Sequence, residues 1–152
     1  MPSRRDLIRM SEEEVASYLA AQKTVIVATM GPRGRPHLMP LWYVPDGLTL
    51  RCWTYAKSQK AKNLERDPRA TLQVEDGVEY HELRGVMLEC DVELIRDVEQ
   101  VTEIGLALAE RYSGGAPEAK EVFAQQAPKR VGMVFTPTRI ISWDHRKLGG
   151  VY

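Results

Sequence analysis

The chain has 152 residues and a mass of 17.2 kDa, which suits one domain, residues 1–152, with a proper core. Lys+Arg and Asp+Glu both number 21, so the formal net charge is zero, which argues against a nucleic-acid partner or an anionic membrane surface. No apolar run approaches a membrane span, and Met1-Pro2-Ser3-Arg4-Arg5 leads into acidic residues instead of a signal-peptide core.

Two cysteines, Cys52 and Cys90, fall inside expected strands without ligand spacing, and are read as reduced core thiols of a cytoplasmic protein. His37, His81 and His145 are too widely separated to suggest a preformed metal site.

In chain order, Ser11 with Glu14 makes a capping box, and Met10 can staple onto Val15 across it. The helix it starts, residues 12–21, puts Val15, Tyr18 and Leu19 on one face. Residues 24–29 are a β-branched run, expected as a buried strand, and Gly31-Pro32-Arg33-Gly34 should turn it into a hairpin. The next strand, residues 37–44, contains Pro40. Proline cannot donate to a sheet ladder, so this strand must be open on one side or bulged, and open backbone is where a ligand can lie. Pro45-Asp46-Gly47 turns the chain into a strand over 48–54.

The loop Tyr55-Ala56-Lys57 then delivers the chain to Ser58, a good N-cap, with Lys60 in the first turn of a basic helix stopped at Asp67-Pro68. A helix N-terminus presents unpaired N–H groups and the positive end of the peptide dipoles, which suits an anion such as phosphate. Trp42 and Trp53 lie on the two strands leading in, so a flat aromatic cofactor with a phosphate tail would find both of its needs in residues 34–70. The ordinary alternative is a capped surface helix with solvated lysines and two core tryptophans. Lys62 faces away from Lys60 and can pair with Glu65 on its own helix.

A strand over 70–75 follows, and Asp76-Gly77 turns into the longest strand, about 82–95. There Val86, Leu88, Cys90, Val92 and Leu94 alternate with Met87, Glu89, Asp91 and Glu93, giving one core face and one wet face. Asp97 caps a helix with Gln100 in the capping-box position, Gly114-Gly115 ends it, and 117–126 is a second short helix. Residues 131–135 and 139–143 are the last strands, broken by Pro137, before a polar tail at 145–152. About seven strands joined mostly by tight turns, with peripheral helices, point to a small antiparallel barrel of α+β class.

The run Trp53-Thr54-x-x-x-Ser58-x-Lys60-Ala61, closed by Asp67-Pro68, resembles the pyridoxamine 5'-phosphate oxidase-like, flavin-binding split-barrel superfamily. Pro137-x-Arg139-Ile140-x-x-Trp143 is similar to that family's last strand. GRPHLMPLWYV and KAKNLERDPRA look like its small actinobacterial branch, which uses the deazaflavin coenzyme F-420. The resemblance spans residues 24–143 and implies a split β-barrel.

It further implies an oxidoreductase whose cofactor, F-420 or flavin mononucleotide (FMN), moves a hydride to or from a small organic substrate. By resemblance, Trp53 and Thr54 contact the ring or its ribityl chain, Ser58 and Lys60 hold the phosphate, and Lys57 assists. Met39, Pro40, Leu41 and Trp42 line the ring's edge through backbone, while Tyr80 and Trp143, the latter from the second subunit of a homodimer, close over the ring.

Gln59 stands where the oxidases carry Arg, the strand before offers only His37 and apolar or aromatic residues, and Asp144-His145-Arg146-Lys147-Leu148 lacks the family's Arg-Leu-His. These departures turn the expectation away from pyridoxamine phosphate oxidation and from FMN, toward F-420. A non-catalytic binder of cofactor or haem in the same fold is the alternative, with His37, His81 or His145 as axial ligand.

Overall fold

The computed structural model describes residues 1–151. Its helices are α1 (Arg4–Ile8), α2 (Glu12–Ala21), α3 (Gln59–Arg66), α4 (Val98–Ser113) and α5 (Pro117–Gln126). Its strands are β1 (Val25–Met30), β2 (Pro36–Leu41), β3 (Val44–Asp46), β4 (Thr49–Tyr55), β5 (Arg69–Asp76), β6 (Arg84–Ile95) and β7 (Arg130–Asp144). All seven strands form one antiparallel sheet in the order β2-β1-β5-β6-β7-β4-β3. The class is α+β, as the turn spacing implied.

β2 and β3 are the two edges of the sheet, yet Leu41 and Val44 are separated only by Trp42 and Tyr43. Three Cα steps reach roughly 11 Å at most. The sheet therefore has to curl until its edges nearly meet, which is a barrel closed by chain instead of by a ladder. Tyr43 is fully buried at this seam, and Trp42 is 50% exposed outside it. The Tyr43 hydroxyl donates to the Leu19 carbonyl at 2.6 Å, so the seam is tied to the end of α2.

The capping boxes of α1 and α2 form through Ser3 with Asp6 and Ser11 with Glu14, and α2 buries Val15, Tyr18 and Leu19 as its periodicity required. The β1–β2 hairpin also stands, with Val25 opposite Leu41 and Met30 opposite Pro36. A Cβ on Gly31 would sit 2.7 Å from the Arg35 carbonyl oxygen, so this turn needs its glycine.

Two expected boundaries are corrected. Residues 37–44 are not one strand: the chain leaves β1 after Leu41, and the Tyr43 N–H donates to the Tyr112 hydroxyl at 2.9 Å instead of joining a ladder. Residues 131–135 and 139–143 are not two strands but one. Pro137 pairs with Cys90 and Arg139 with Glu89, so the extra residue, Thr138, is absorbed as a bulge where a proline is tolerated. β7 is thus the longest strand, and the count of seven survives because one split offsets one fusion. Helix α1 has no counterpart in the sequence reading.

The core inside the curl joins Val25, Val27, Leu50, Leu72, Leu88 and Phe135 to α2 and to Leu64 of α3. Cys52 and Cys90 are free thiols within it, and burial pushes the Cys90 thiol up to about 12 and Cys52 higher still. On the other face, Trp53 packs with Val101, Ile104 and Leu108 of α4 and stacks on Phe123.

Gly105 makes that approach possible, because a Cβ there would lie 2.4 Å from the Trp53 ring. Gly105→Ala should therefore destabilise the fold by about 1–3 kcal/mol through overpacking, despite the better helix propensity of alanine. Chemical denaturation followed by tryptophan fluorescence checks this. An unchanged midpoint would mean that α4 slides away from the ring without cost.

Candidate functional site

The junction between β4 and α3 is built as the sequence indicated. Ser58 has extended backbone (φ −69°, ψ 156°) and its Oγ accepts from the Ala61 N–H at 3.1 Å, so it is the N-cap of α3. Leu64 and Ala61 seat the helix in the core, which fixes where Lys60 can go. Lys60 is only 5% exposed. Its Nζ donates to Thr54 Oγ1 at 3.4 Å, and Thr54 Oγ1 in turn lies 3.4 Å from Ser58 Oγ.

Among the described residues no carboxylate forms an ion pair with Lys60. Burial lowers its pKa below the ordinary lysine value. The positive end of α3 adds to the strain instead of relieving it. An ammonium out of water with one long hydroxyl contact is an unmet demand for an anion. Two hydroxyls and a helix start converge on the same spot, so the donor set fits a phosphate.

The neighbouring side chains divide. Lys57 and Lys62 are exposed, and Glu65, expected to pair with Lys62, instead accepts from Arg96 at 2.6 Å. Gln59 donates to Asn63 Oδ1 at 2.7 Å, while Asn63 donates to Thr29 Oγ1 at 3.0 Å. Trp53 follows the alternation of its strand and turns its ring into the helical layer, on the opposite face from Thr54. Only its backbone borders the Thr54 side. Met39 and Pro40 lie exposed on β2, whose outer edge is unpaired, and Leu41 is half-buried there. Trp42 stacks on Tyr112 of α4, with centroids 4.3 Å apart and planes 7° from parallel.

Tyr80 occupies a one-turn 3-10 segment, its ring edge-on to His145 at 4.7 Å. Trp143 lies against Gly85, where a Cβ would fall 2.5 Å from the indole. Thr54 pairs with Val131, and Trp143 is twelve residues further along β7, roughly 40 Å of strand. One chain thus brings together Thr54, Ser58 and Lys60, and places Tyr80 and Trp143 toward the other end of β7.

Arg33 and Arg35 were missed in the sequence. With His37 and Gln59 they line a cavity of about 240 Å³ between the β1–β2 turn and the start of α3. His37 Nδ1 is buried there without a hydrogen-bond partner. The signal was legible: two arginines flank the turn glycine, one hairpin away from the helix start. A larger cavity, about 560 Å³ and lined by Asp67, Arg69, Glu89 and Asp91 among others, includes none of the expected site residues.

A family model described as pyridoxamine 5'-phosphate oxidase matches residues 11–144. Among solved structures, the conserved hypothetical protein Rv2991 from Mycobacterium tuberculosis aligns with a TM-score of 0.90 and 43% identity, over 99% of this chain and 95% of that one. An F420 reductase aligns with a TM-score of 0.63 and 27% identity, over 82% and 93%. HutZ, a haem storage protein from Vibrio cholerae, aligns with a TM-score of 0.68 over 86% and 94%, at 17% identity, a likeness of fold alone. No curated protein matches the chain. No helix among the described residues is long and apolar enough to cross a membrane.

The environment of Lys60 has a consequence for stability. Because its pKa is lower in the folded than in the unfolded chain, the unfolded state binds more protons between the two values, and stability rises with pH across that window. Below the window the cost of the buried charge is fully present. Lys60→Met should remove it, stabilising the ligand-free protein at neutral pH by about 1–2 kcal/mol, or roughly 2–4 °C in Tm per kcal/mol. It should also flatten the alkaline rise. A lower Tm for the variant, measured by calorimetry, would show that the ammonium is already compensated.

Proposed function

Because this chain belongs to the pyridoxamine 5'-phosphate oxidase family, we propose that it is a homodimeric oxidoreductase holding a phosphate-bearing flavin-type cofactor at the β4–α3 junction, with F-420 preferred over FMN. The buried, unpaired Lys60 carries this reading, since it supplies a fixed charge where the family resemblance puts the phosphate. When bound, such a cofactor supplies hydride transfer at its ring, and the chain supplies position and charge.

Ser58 and Lys60 would hold the phosphate, Lys57 would assist, and Thr54 with the Trp53 backbone would flank the ribityl chain. Met39, Pro40, Leu41 and Trp42 would border the ring along the open edge of β2. The preference for F-420 is supported by Gln59, which adds no charge and is engaged by Asn63. Arg33 and Arg35 supply positive charge beside the helix start for an acidic tail. The 27% identity to an F420 reductase points the same way.

Two observations support the dimer. Met30, Leu38, Met39 and Trp42 are large apolar side chains left exposed on and beside β2, and exposed apolar surface of this kind usually meets a partner. Tyr80 and Trp143 are remote from Lys60 along their own chain, so a second copy related by a two-fold axis would deliver them.

Fluorescence titration of the purified protein should give a lower dissociation constant for F-420 than for FMN. Equal or reversed values would remove the preference, and a Soret band on adding haem, lost on substituting His37, would favour the haem-binding alternative. Lys60→Ala should weaken cofactor binding by about 1.5–3 kcal/mol, roughly 10- to 150-fold, while the exposed Lys62→Ala changes it little.

Mixing Lys60→Ala chains with Trp143→Ala chains under exchange should restore about one intact site per heterodimer, because both defects fall in the same composite site and the other keeps its Lys60 and its Trp143. No restoration, or a monomer in sedimentation, would exclude the shared site.

A further inference from the structure

A groove between α1 and the second half of β7 is not used by the cofactor site. β4 pairs with β7 only as far as Phe135, so beyond it one edge of β7 has no strand beside it. The groove is about 330 Å³ and is lined by Arg5, Arg9, Arg139, Ile140, Ile141 and Ser142. Three guanidinium groups and no carboxylate meet there, in a chain whose formal net charge is zero. Asp6 reaches Arg9 at 3.0 Å and Glu89 reaches Arg139 at 3.7 Å, but both pairs are solvent-exposed and weak enough to be exchanged for a ligand. Arg5 has no ion pair among the described residues.

Helix α1 buries no side chain, so core packing does not explain its place. It is nonetheless fixed by its capping box, by the Met10 N–H donating to Ser142 Oγ at 2.9 Å, and by Lys147 Nζ donating to the Arg9 carbonyl at 2.9 Å. What the helix adds to this face is Arg5 and Arg9, beside Ile141 in the groove. Guanidinium groups match carboxylate and phosphate oxygens in a fork geometry. The volume suits a small molecule.

We propose that this groove anchors the anionic end of the substrate, a small organic acid or phosphate monoester with an apolar body. The inference rests on the reading of Trp143 as a wall of the cofactor site. Arg139, Ile141 and Trp143 alternate onto one face of β7, with the arginine four residues, roughly 13 Å, from the indole. A substrate held by its anion at the arginines would extend its apolar body along Ile141 toward Trp143.

Cofactor-free protein is titrated with 3-phenylpropanoate, phenyl phosphate, inorganic phosphate and 3-phenylpropanol, followed by amide NMR shifts. Both aromatic anions should shift residues 139–142 and bind at least tenfold more tightly than inorganic phosphate or the alcohol, and the better of the two identifies the anion class. An Arg5→Ala, Arg139→Ala double variant should lose that binding tenfold or more, with its melting temperature and its F-420 affinity unchanged. Arg5→Lys with Arg139→Lys should recover only part of it, because the fork is lost. Equal binding of inorganic phosphate, shifts located elsewhere, or an unaffected double variant would overturn the proposal. F-420 binding without anion binding removes the anchor alone, whereas anion binding without F-420 binding removes the cofactor reading.

Discussion

Trp42 and Tyr43 must cross from one edge of the sheet to the other in a single short step, and most of the molecule follows from that constraint. A tether of roughly 11 Å cannot join the edges of a flat seven-stranded sheet, whose strands lie about 4.8 Å apart. The sheet curls, its inner face becomes the core, and the seam has to be sealed without strand pairing.

Tyr43 seals it from within, and its hydroxyl accepts the task of binding the Leu19 and Gln22 carbonyls at the end of α2. Arg111 reaches the Leu19, Ala20 and Gln22 carbonyls as well, and its guanidinium lies 5.1 Å from the Tyr43 ring. Desolvation pushes the Tyr43 phenol above its usual range, which favours the neutral, donating form. Helices α2 and α4 are thereby bolted across a seam where the sheet has no ladder.

A closed barrel also explains how a lysine comes to be stranded. Helix α3 must plug the space below the curl, and it does so with Ala61 and Leu64 in the core and Asn63 bonded to Thr29. Those anchors sit on either side of Lys60 in helical phase, so its side chain is directed inward against Thr54 and Cys52. A free surface helix would let the ammonium swing to water, and here the packing forbids it. Burying such a charge costs stability, a cost that groups at functional sites commonly carry.

Local signals in the sequence were reliable where local chemistry decides the outcome. The capping box at Ser11, the hairpin glycines and the alternation along β6 needed no knowledge of tertiary contacts. The errors came where a distant element arbitrates. Pro40 was read correctly as an edge residue, but nothing near it says that Tyr43 will bond to Tyr112 and part β3 from β2. Pro137 has the chemistry of a break, and only the length of β6 opposite turns it into a bulge. The ring of Trp53 packs against α4 and Phe123, and strand alternation already indicates this. The two-residue period that buries Leu50, Cys52 and Thr54 on one face already assigns the indole to the other.

Arg33 and Arg35, and likewise Arg5, Arg9 and Arg139, were obscured by the zero net charge itself. Net charge governs the far field, the scale on which a polyanion is attracted. A small anion is bound within a few ångströms, inside the screening length, so only the arrangement of nearby groups matters to it. The fold creates such arrangements locally: arginines gather at the hairpin turn and at the edge of β7, although Glu89 pairs with Arg139 from the neighbouring strand. Composition is therefore silent on small anions, and in this chain it is the topology, placing a five-residue helix along an unpaired strand, that concentrates positive charge.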